Sequence, residues 1–195
     1  MSPSFKTIAY YTIGNQYQTI SEDLKRSCND FNIPLLLKPI EDLGSWEKNT
    51  HYKAKFILDC LNTTDQNLLY VDVDAIFKSY PDLIETLNCD IAYRTENFRW
   101  RKNEALSGTI FFQNNDRVKD FVKRWIELND KNPAIRSKPE TWEQANMQKT
   151  LFDSSDIMYY NLPPEYTFIF DHTKKLYPGL KPVIEHFQAS RKVNI

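Results

Sequence analysis

Short apolar runs alternate along the chain with amphipathic stretches and polar breaks, and their spacing predicts most of the elements. Thr7-Ile-Ala-Tyr-Tyr-Thr12 is β-branched and aromatic enough for a first strand, which Gly14-Asn15 then interrupts. Thr19 with Glu22 fits a capping box for a helix running to about Phe31. Ile33 to Ile40, with Leu35-Leu36-Leu37 between two prolines, predicts a short second strand. Tyr52, Phe56 and Cys60, with Ile57 and Leu61 beside them, repeat at helical spacing and predict a helix over roughly His51 to Leu61. Leu68-Leu69-Tyr70-Val71 is the kind of run found in a strand covered on both faces, and it leads straight into Asp72-Val73-Asp74.

Beyond that point the pattern predicts a helix begun by Pro81 and ending near Leu87, a strand at Asp90 to Tyr93, and a polar, arginine-rich loop from Arg94 to Glu104. Ser107 to Phe112 is a further strand, and Val118, Phe121, Val122, Trp125 and Leu128 mark an amphipathic helix. Asn129 to Glu140, charged and proline-bearing, is expected to be a loop. A helix from Trp142 to about Phe152 follows, then short strands near Ile157 to Tyr160, Tyr166 to Phe170 and Val183 to Phe187. The β-α-β-α-β order of the first half predicts an α/β fold whose parallel sheet gathers its active groups at the carboxyl ends of the strands.

Length and composition narrow the function classes. A chain of 195 residues, 41% hydrophobic, fits one domain with a sheet covered by helices. A formal charge of -1 excludes the strong positive field of a general nucleic-acid binder. With only 4 glycines, the Gly-rich phosphate cradles GxGxxG and GxxxxGK[ST] are absent, so any phosphate must be held by another device. Cys28, Cys60 and Cys89 are odd in number and widely spaced, which points to a reducing compartment rather than a disulfide framework. Met1 to Lys6 has no basic region followed by an apolar core, and no apolar run approaches the roughly 20 residues of a membrane span. The expectation is a soluble, cytoplasmic protein with no membrane span.

The chemistry begins at Asp72 and Asp74. Carboxylates at i and i+2 on an extended strand point to the same side, about 7 Å apart at their backbones, close enough to share one hard cation. Burying both as anions with no cation would cost several kcal/mol. Mg²⁺ or Mn²⁺ removes that cost, since these ions take oxygen ligands and keep substrate phosphates in their shell. A solvated loop after a strand would read the same way from the two residues alone. Gly108, inside a strand pattern and flanked by Ser107 and Thr109, marks a place where a ligand or backbone comes close. Of Tyr10, Tyr11 and Thr12 at the end of the first strand, one tyrosine is expected in the core, and Tyr11 is favoured for a ligand.

Tyr70-Val-Asp-Val-Asp-Ala-Ile-Phe77 resembles the DxD strand of GT-A-fold nucleotide-diphospho-sugar glycosyltransferases. Trp46-Glu-Lys-Asn49 with Lys53 and Lys55, Ser107-Gly-Thr-Ile-Phe-Phe112, Trp142-Glu-Gln144, and Val183-Ile-Glu-His186 followed by Ser190-Arg191 are similar, in order, to other segments of that family. The resemblance spans nearly the whole chain, but only the DxD is sharply defined.

The resemblance implies a Rossmann-like, mixed but mainly parallel sheet flanked by helices. It implies a single domain over 1–195, with the nucleotide in about 1–77 and the sugar and acceptor in about 78–195. It implies Mn²⁺ or Mg²⁺ on Asp72, Asp74 and His186, and a donor held by Tyr11, Thr12, Lys55, Asp72, Ser107, Gly108, Thr109 and Arg191. Lys192 beside Arg191 would add charge. Glu143 and Gln144 would be catalytic, Glu143 deprotonating an acceptor in an inverting displacement or stabilising an oxocarbenium-like state in a retaining one. Thr141-x-x-Gln144 is also a capping-box pattern, which accounts for the glutamine without chemistry. The expected reaction is transfer from a nucleoside diphosphate sugar, a UDP-sugar by preference, to a hydroxyl on a glycan. Arg94, Arg99, Trp100 and Arg101 would line the acceptor groove or form an exposed charged loop. The competing readings are a haloacid-dehalogenase-type phosphatase using the two aspartates, although its motif usually sits on the first strand and continues Gly-Thr, and a non-catalytic nucleotide-sugar-binding module. A DNA-base glucosyltransferase is disfavoured by the near-neutral charge.

Overall fold

The N-terminal β-branched and aromatic run forms strand β1 (Phe5–Thr12) in this computed structural model, which describes residues 3–98 and 101–189. Gly14, at φ +76°, turns the chain into α1 (Gln16–Asp30). Asn15 caps α1 by accepting the Tyr17 N–H at 2.9 Å, so Thr19 and Glu22 lie inside the helix and the capping box expected there is not formed. Strand β2 (Leu35–Ile40) pairs parallel to β1 at the sheet's edge, where Pro39 costs no ladder bond on a central strand. Helix α2 (Trp46–Thr63) starts a turn and a half before the expected His51, because Ser45 caps it by accepting the Lys48 N–H at 3.2 Å.

Strand β3 (Asn67–Val71) then lies between β1 and a later antiparallel strand, with Leu68, Leu69, Tyr70 and Val71 all buried. Leu68 and Tyr70 face one hydrophobic cluster while Leu69 and Val71 face the other, the two-sided covering that the apolar run predicts. Strand β4 (Ala75–Phe77) and helix α3 (Asp82–Thr86) follow.

The expected loop from Arg94 to Glu104 is instead mostly a long antiparallel hairpin, β5 (Ile91–Phe98) with β6 (Arg101–Phe112). Its charged residues are tolerated there because they are partnered. Arg94 and Glu96, two apart and therefore on one face, are buried against each other, and Arg94 also lies 5.7 Å from the Tyr177 ring. Arg99 and Trp100 fall outside the described residues.

Asn115 caps α4 (Asp116–Lys131), a 3-10 turn at Pro139–Thr141 leads into α5 (Glu143–Phe152), and β7 (Tyr159–Asn161), a 3-10 turn at Pro164–Thr167, β8 (Phe168–Ile169), α6 (Thr173–Leu176) and β9 (Ile184–His186) complete the order. The main sheet runs β2-β1-β3-β6-β5-β7, and only β6 opposes the others. A second sheet, β4-β9-β8, stands beside it. Helices α2, α4 and α5 cover one face around Trp125, while α1 and β4 cover the other. Cys28, Cys60 and Cys89 are buried free thiols, and among the described residues no helix is long and apolar enough to cross a membrane.

Trp125 is fully buried and its indole N–H donates to the Glu143 carbonyl at 3.2 Å, tying α4 to the start of α5. Trp125→Ala is expected to lower the unfolding free energy by about 3–5 kcal/mol. A urea titration of the variant would show this as a lower midpoint, and an unchanged midpoint would mean that the α4 face is not the core of this layer.

Candidate functional site

Asp72 and Asp74 occupy a turn at the carboxyl end of β3, closed by the Ala75 N–H donating to the Asp72 carbonyl at 2.9 Å. The Asp72 N–H donates to the Gly108 carbonyl at 2.8 Å, which ties this turn to β6. β4 leaves the turn paired with β9, Ala75 opposite His186, so a residue more than a hundred positions downstream becomes a backbone neighbour of the aspartates. Asp72, Asp74 and His186 thereby offer ligand atoms that all lie within 4.8 Å of one another.

Each of the three is held in place. The Asp72 Oδ1 accepts the Tyr70 hydroxyl at 2.8 Å and lies 3.2 Å from the Lys53 ammonium. The Asp74 Oδ2 accepts the Ala189 N–H at 2.7 Å. Burial pushes the Asp74 carboxyl up, but His186, the Ala189 N–H and Lys53 outweigh it and hold the group below the usual carboxylate range. The buried His186 has its Nε2 2.7 Å from the Thr109 hydroxyl, while Nδ1 faces Asp74 at 3.8 Å. An Nε2–H donated to Thr109 leaves the Nδ1 lone pair for a cation. Gly108 packs under the cluster: a Cβ there would stand 3.2 Å from His186 Cε1 and 3.3 Å from Asp72 Oδ2. Two carboxylates and an imidazole, supported from behind and converging on a space kept clear by glycine, fit Mn²⁺ or Mg²⁺.

Lys53 of α2 is the second organising group. Its ammonium is buried and reaches Asp72 at 3.2 Å, Glu143 at 3.3 Å, the Ser107 carbonyl at 3.1 Å and the Ser107 hydroxyl at 3.0 Å. Burial alone would lower its pKa, but Asp72 and Glu143 raise it above the ordinary value, so it stays charged. Glu143, in the first turn of α5, accepts the Ser107 hydroxyl on Oε2 at 3.1 Å, while its Oε1 has no hydrogen-bond partner. Burial pushes its carboxyl up to about 7, against the pull of Lys53 and with a further push from Asp72.

The sequence expectation of Lys55 at the donor is corrected here. Two residues on from Lys53, and so about 200° around the helix, Lys55 lies at the surface in an ion pair with Asp130 at 3.3 Å. The signal was available: Lys53 stands three and four residues before Phe56 and Ile57, on the buried stripe, and Lys55 does not. Gln144 is likewise not a cap. Its Oε1 accepts the Ser107 N–H at 3.1 Å and its amide donates to Glu104 at 2.6 Å, whereas the Thr141 hydroxyl accepts the Ile135 N–H at 2.8 Å and donates to the Lys138 carbonyl.

These groups border one cavity of about 890 Å³. Tyr11, Thr12, Asp72, Asp74, Ser107, Gly108, Glu143, Gln144 and His186 all line it, and Thr109 reaches it through His186. Tyr10 is the packed tyrosine, edge-on to Tyr52 and Phe56 at 5.4 Å. Arg191 and Lys192 lie outside the described residues. Tyr17 and Arg136, which the sequence did not single out, also line it, as do Trp46 and Trp142, named there only as the first residues of family-like segments. The two indoles meet edge to face at 5.3 Å and Arg136 lies 4.6 Å over Trp46, a contact between segments that carry no shared local pattern.

Residues 44–193 match the family described as nucleotide-diphospho-sugar transferase. No curated protein matches the sequence. Among solved structures, a glycosyltransferase involved in glycosylation of the major capsid of PBCV-1 aligns over 95% of this chain and 93% of its own, at 15% identity and a TM-score of 0.71. The bifunctional glycosyltransferase WbbM, in its apo form, aligns at 12% identity and a TM-score of 0.67 over 96% of this chain and 46% of its own. The glycosyltransferase GlyE of Streptococcus pneumoniae TIGR4 aligns at 17% identity and 0.66, over 93% and 54%. The chain thus spans about half the length of the latter two, and the likeness at these identities is one of fold. The family match displaces the phosphatase reading of the aspartate pair.

Two measurements test the site's construction. Gly108→Ala should crowd Asp72 and His186 and weaken Mn²⁺ binding, read by calorimetry, by roughly tenfold or more; unchanged affinity would mean that the cluster is not the metal site. The Glu143 carboxyl, raised from 4.5 to about 7, holds a proton that the unfolded chain has released, so its contribution to stability is present at the acid end and is lost as pH rises through about 7. Glu143→Gln cannot ionise, and the difference between its melting temperature and that of the metal-free wild type should shift in the variant's favour from pH 5 to pH 8. Parallel profiles would contradict the raised pKa.

Proposed function

Because the chain belongs to the nucleotide-diphospho-sugar transferase family, we propose that it moves a sugar from a UDP-sugar to a glycan hydroxyl, with Mn²⁺ or Mg²⁺ held by Asp72, Asp74 and His186. The observation that carries this reading is the convergence of those three side chains over Gly108 on the wall of the main cavity. When bound, the cation would neutralise the diphosphate and stabilise the charge that develops on it as the sugar leaves.

The remaining work falls to residues of the chain. Tyr11 and Thr12, at the carboxyl end of β1, face the cavity where the nucleobase is expected, with Tyr11 offering a ring to stack on uracil. The nucleotide thus rests mainly on the half of the chain up to Phe77, and the sugar and acceptor on the half after it. Lys53 keeps Asp72, Ser107 and Glu143 in one arrangement through four contacts. In either stereochemical course the acceptor hydroxyl must lose a proton. Glu143, titrating near neutrality, takes it up through the Ser107 hydroxyl that already donates to Oε2. Gln144, fixed between the Ser107 N–H and Glu104, presents its amide beside the reacting carbon.

A thermal-shift panel of nucleotide sugars with and without Mn²⁺ tests the proposal. A UDP-sugar at about one hundred times its Kd should raise the melting temperature by roughly 5–10 °C. The shift should depend on the metal and disappear in Asp74→Ala. Absence of a shift with every nucleotide sugar, or an equal shift in the variant, would overturn the reading.

A further inference from the structure

The charges around the cavity leave one cation without an assigned task. Asp72, Asp74, Glu104 and Glu143 contribute carboxylates, and the lining side chains that are always cationic are Lys53 and Arg136 among the described residues. Lys53 is committed, buried between Asp72 and Glu143. Arg136 is exposed at the cavity wall, its guanidinium 4.6 Å from the Trp46 ring, and among the described residues no carboxylate forms an ion pair with it.

Its placement is built rather than incidental. Ile135 to Lys138 form a tight turn closed by the Lys138 N–H donating to the Ile135 carbonyl at 2.8 Å, with Arg136 at its second position. Two further bonds pin that turn: the Ile135 N–H donates to the Thr141 hydroxyl at 2.8 Å, and the Trp142 indole donates to the Ile135 carbonyl at 3.1 Å. The stacked Trp46 packs in turn on Trp142, next to Glu143. Tyr17, Arg136, Asp72 and Asp74 all line this one cavity.

We propose that Arg136, held on the face of Trp46, binds the diphosphate of the donor in the cavity it shares with Asp72 and Asp74. A planar guanidinium presents paired N–H donors that match phosphate oxygens, and stacking on an indole orients it before the ligand arrives. The inference rests on the nucleotide-sugar reading of the same cavity. It gives the departing diphosphate a protein cation in place of the surface-bound Lys55.

Binding of UMP and UDP in the presence of Mn²⁺, measured by calorimetry, tests it. Arg136→Met retains a stem to cover Trp46 and removes only the charge, and melting of the apo variant checks that the fold survives. The variant should bind UDP roughly tenfold more weakly while UMP changes little, so the preference for the diphosphate shrinks; Arg136→Lys should recover part of it. Equal losses for UMP and UDP, or UDP affinity within about twofold of the wild type, would overturn the proposal while leaving the parent reading in place. A wild type that binds neither UDP nor GDP with Mn²⁺ would remove both.

Discussion

A lysine ammonium cannot be buried without anions and hydrogen-bond acceptors around it, and the site is arranged about that requirement at Lys53. Its four oxygen contacts come from β3's end, from β6 and from α5, three elements that have no other reason to present polar atoms to one point. Removing any one partner would leave the others facing an incompletely satisfied charge. The arrangement therefore behaves as a unit, and it sets where Asp72 points and offsets part of the rise that burial gives the Glu143 carboxyl, which lies at about 7.

The aspartate pair is shared between two such constructions. Asp72 belongs to the Lys53 group, while Asp74 belongs to the C-terminal strand, bonded to Ala189 and adjacent to His186. Between the two runs Gly108, whose missing side chain leaves room for Asp72 and His186 to converge. Four glycines in the whole chain are few for a phosphate-handling protein. Here one of them clears space for Asp72 and His186 to converge rather than cradling phosphate with backbone N–H groups.

Much of this was legible from local pattern. The apolar Leu68 to Val71 run announced a doubly covered strand, because a strand packed on both faces has no polar alternation to show. The stripe on α4 marked its buried face, and a pair of aspartates directly after the covered strand marked the carboxyl edge where this fold gathers its chemistry. The places where pattern misled share a cause. Arg94, Glu96 and Glu104 looked like a solvated loop because local reading equates charge with exposure, yet in the hairpin they are buried beside partners. Lys53 and Lys55 carry the same charge two positions apart, and only Lys53 shares the helix's buried stripe.

What the sequence by itself determined is most of the elements, the faces they bury, and the aspartate pair at a strand end, since periodicity and strand-end carboxylates are properties of neighbouring positions. Only the tertiary structure decided which distant groups meet: His186 beside Asp74 through the pairing of β4 with β9, Gln144 on Ser107 rather than at its own helix end, and Arg136 over Trp46. Those contacts depend on strand order and helix packing across many tens of residues, and no local spacing encodes them.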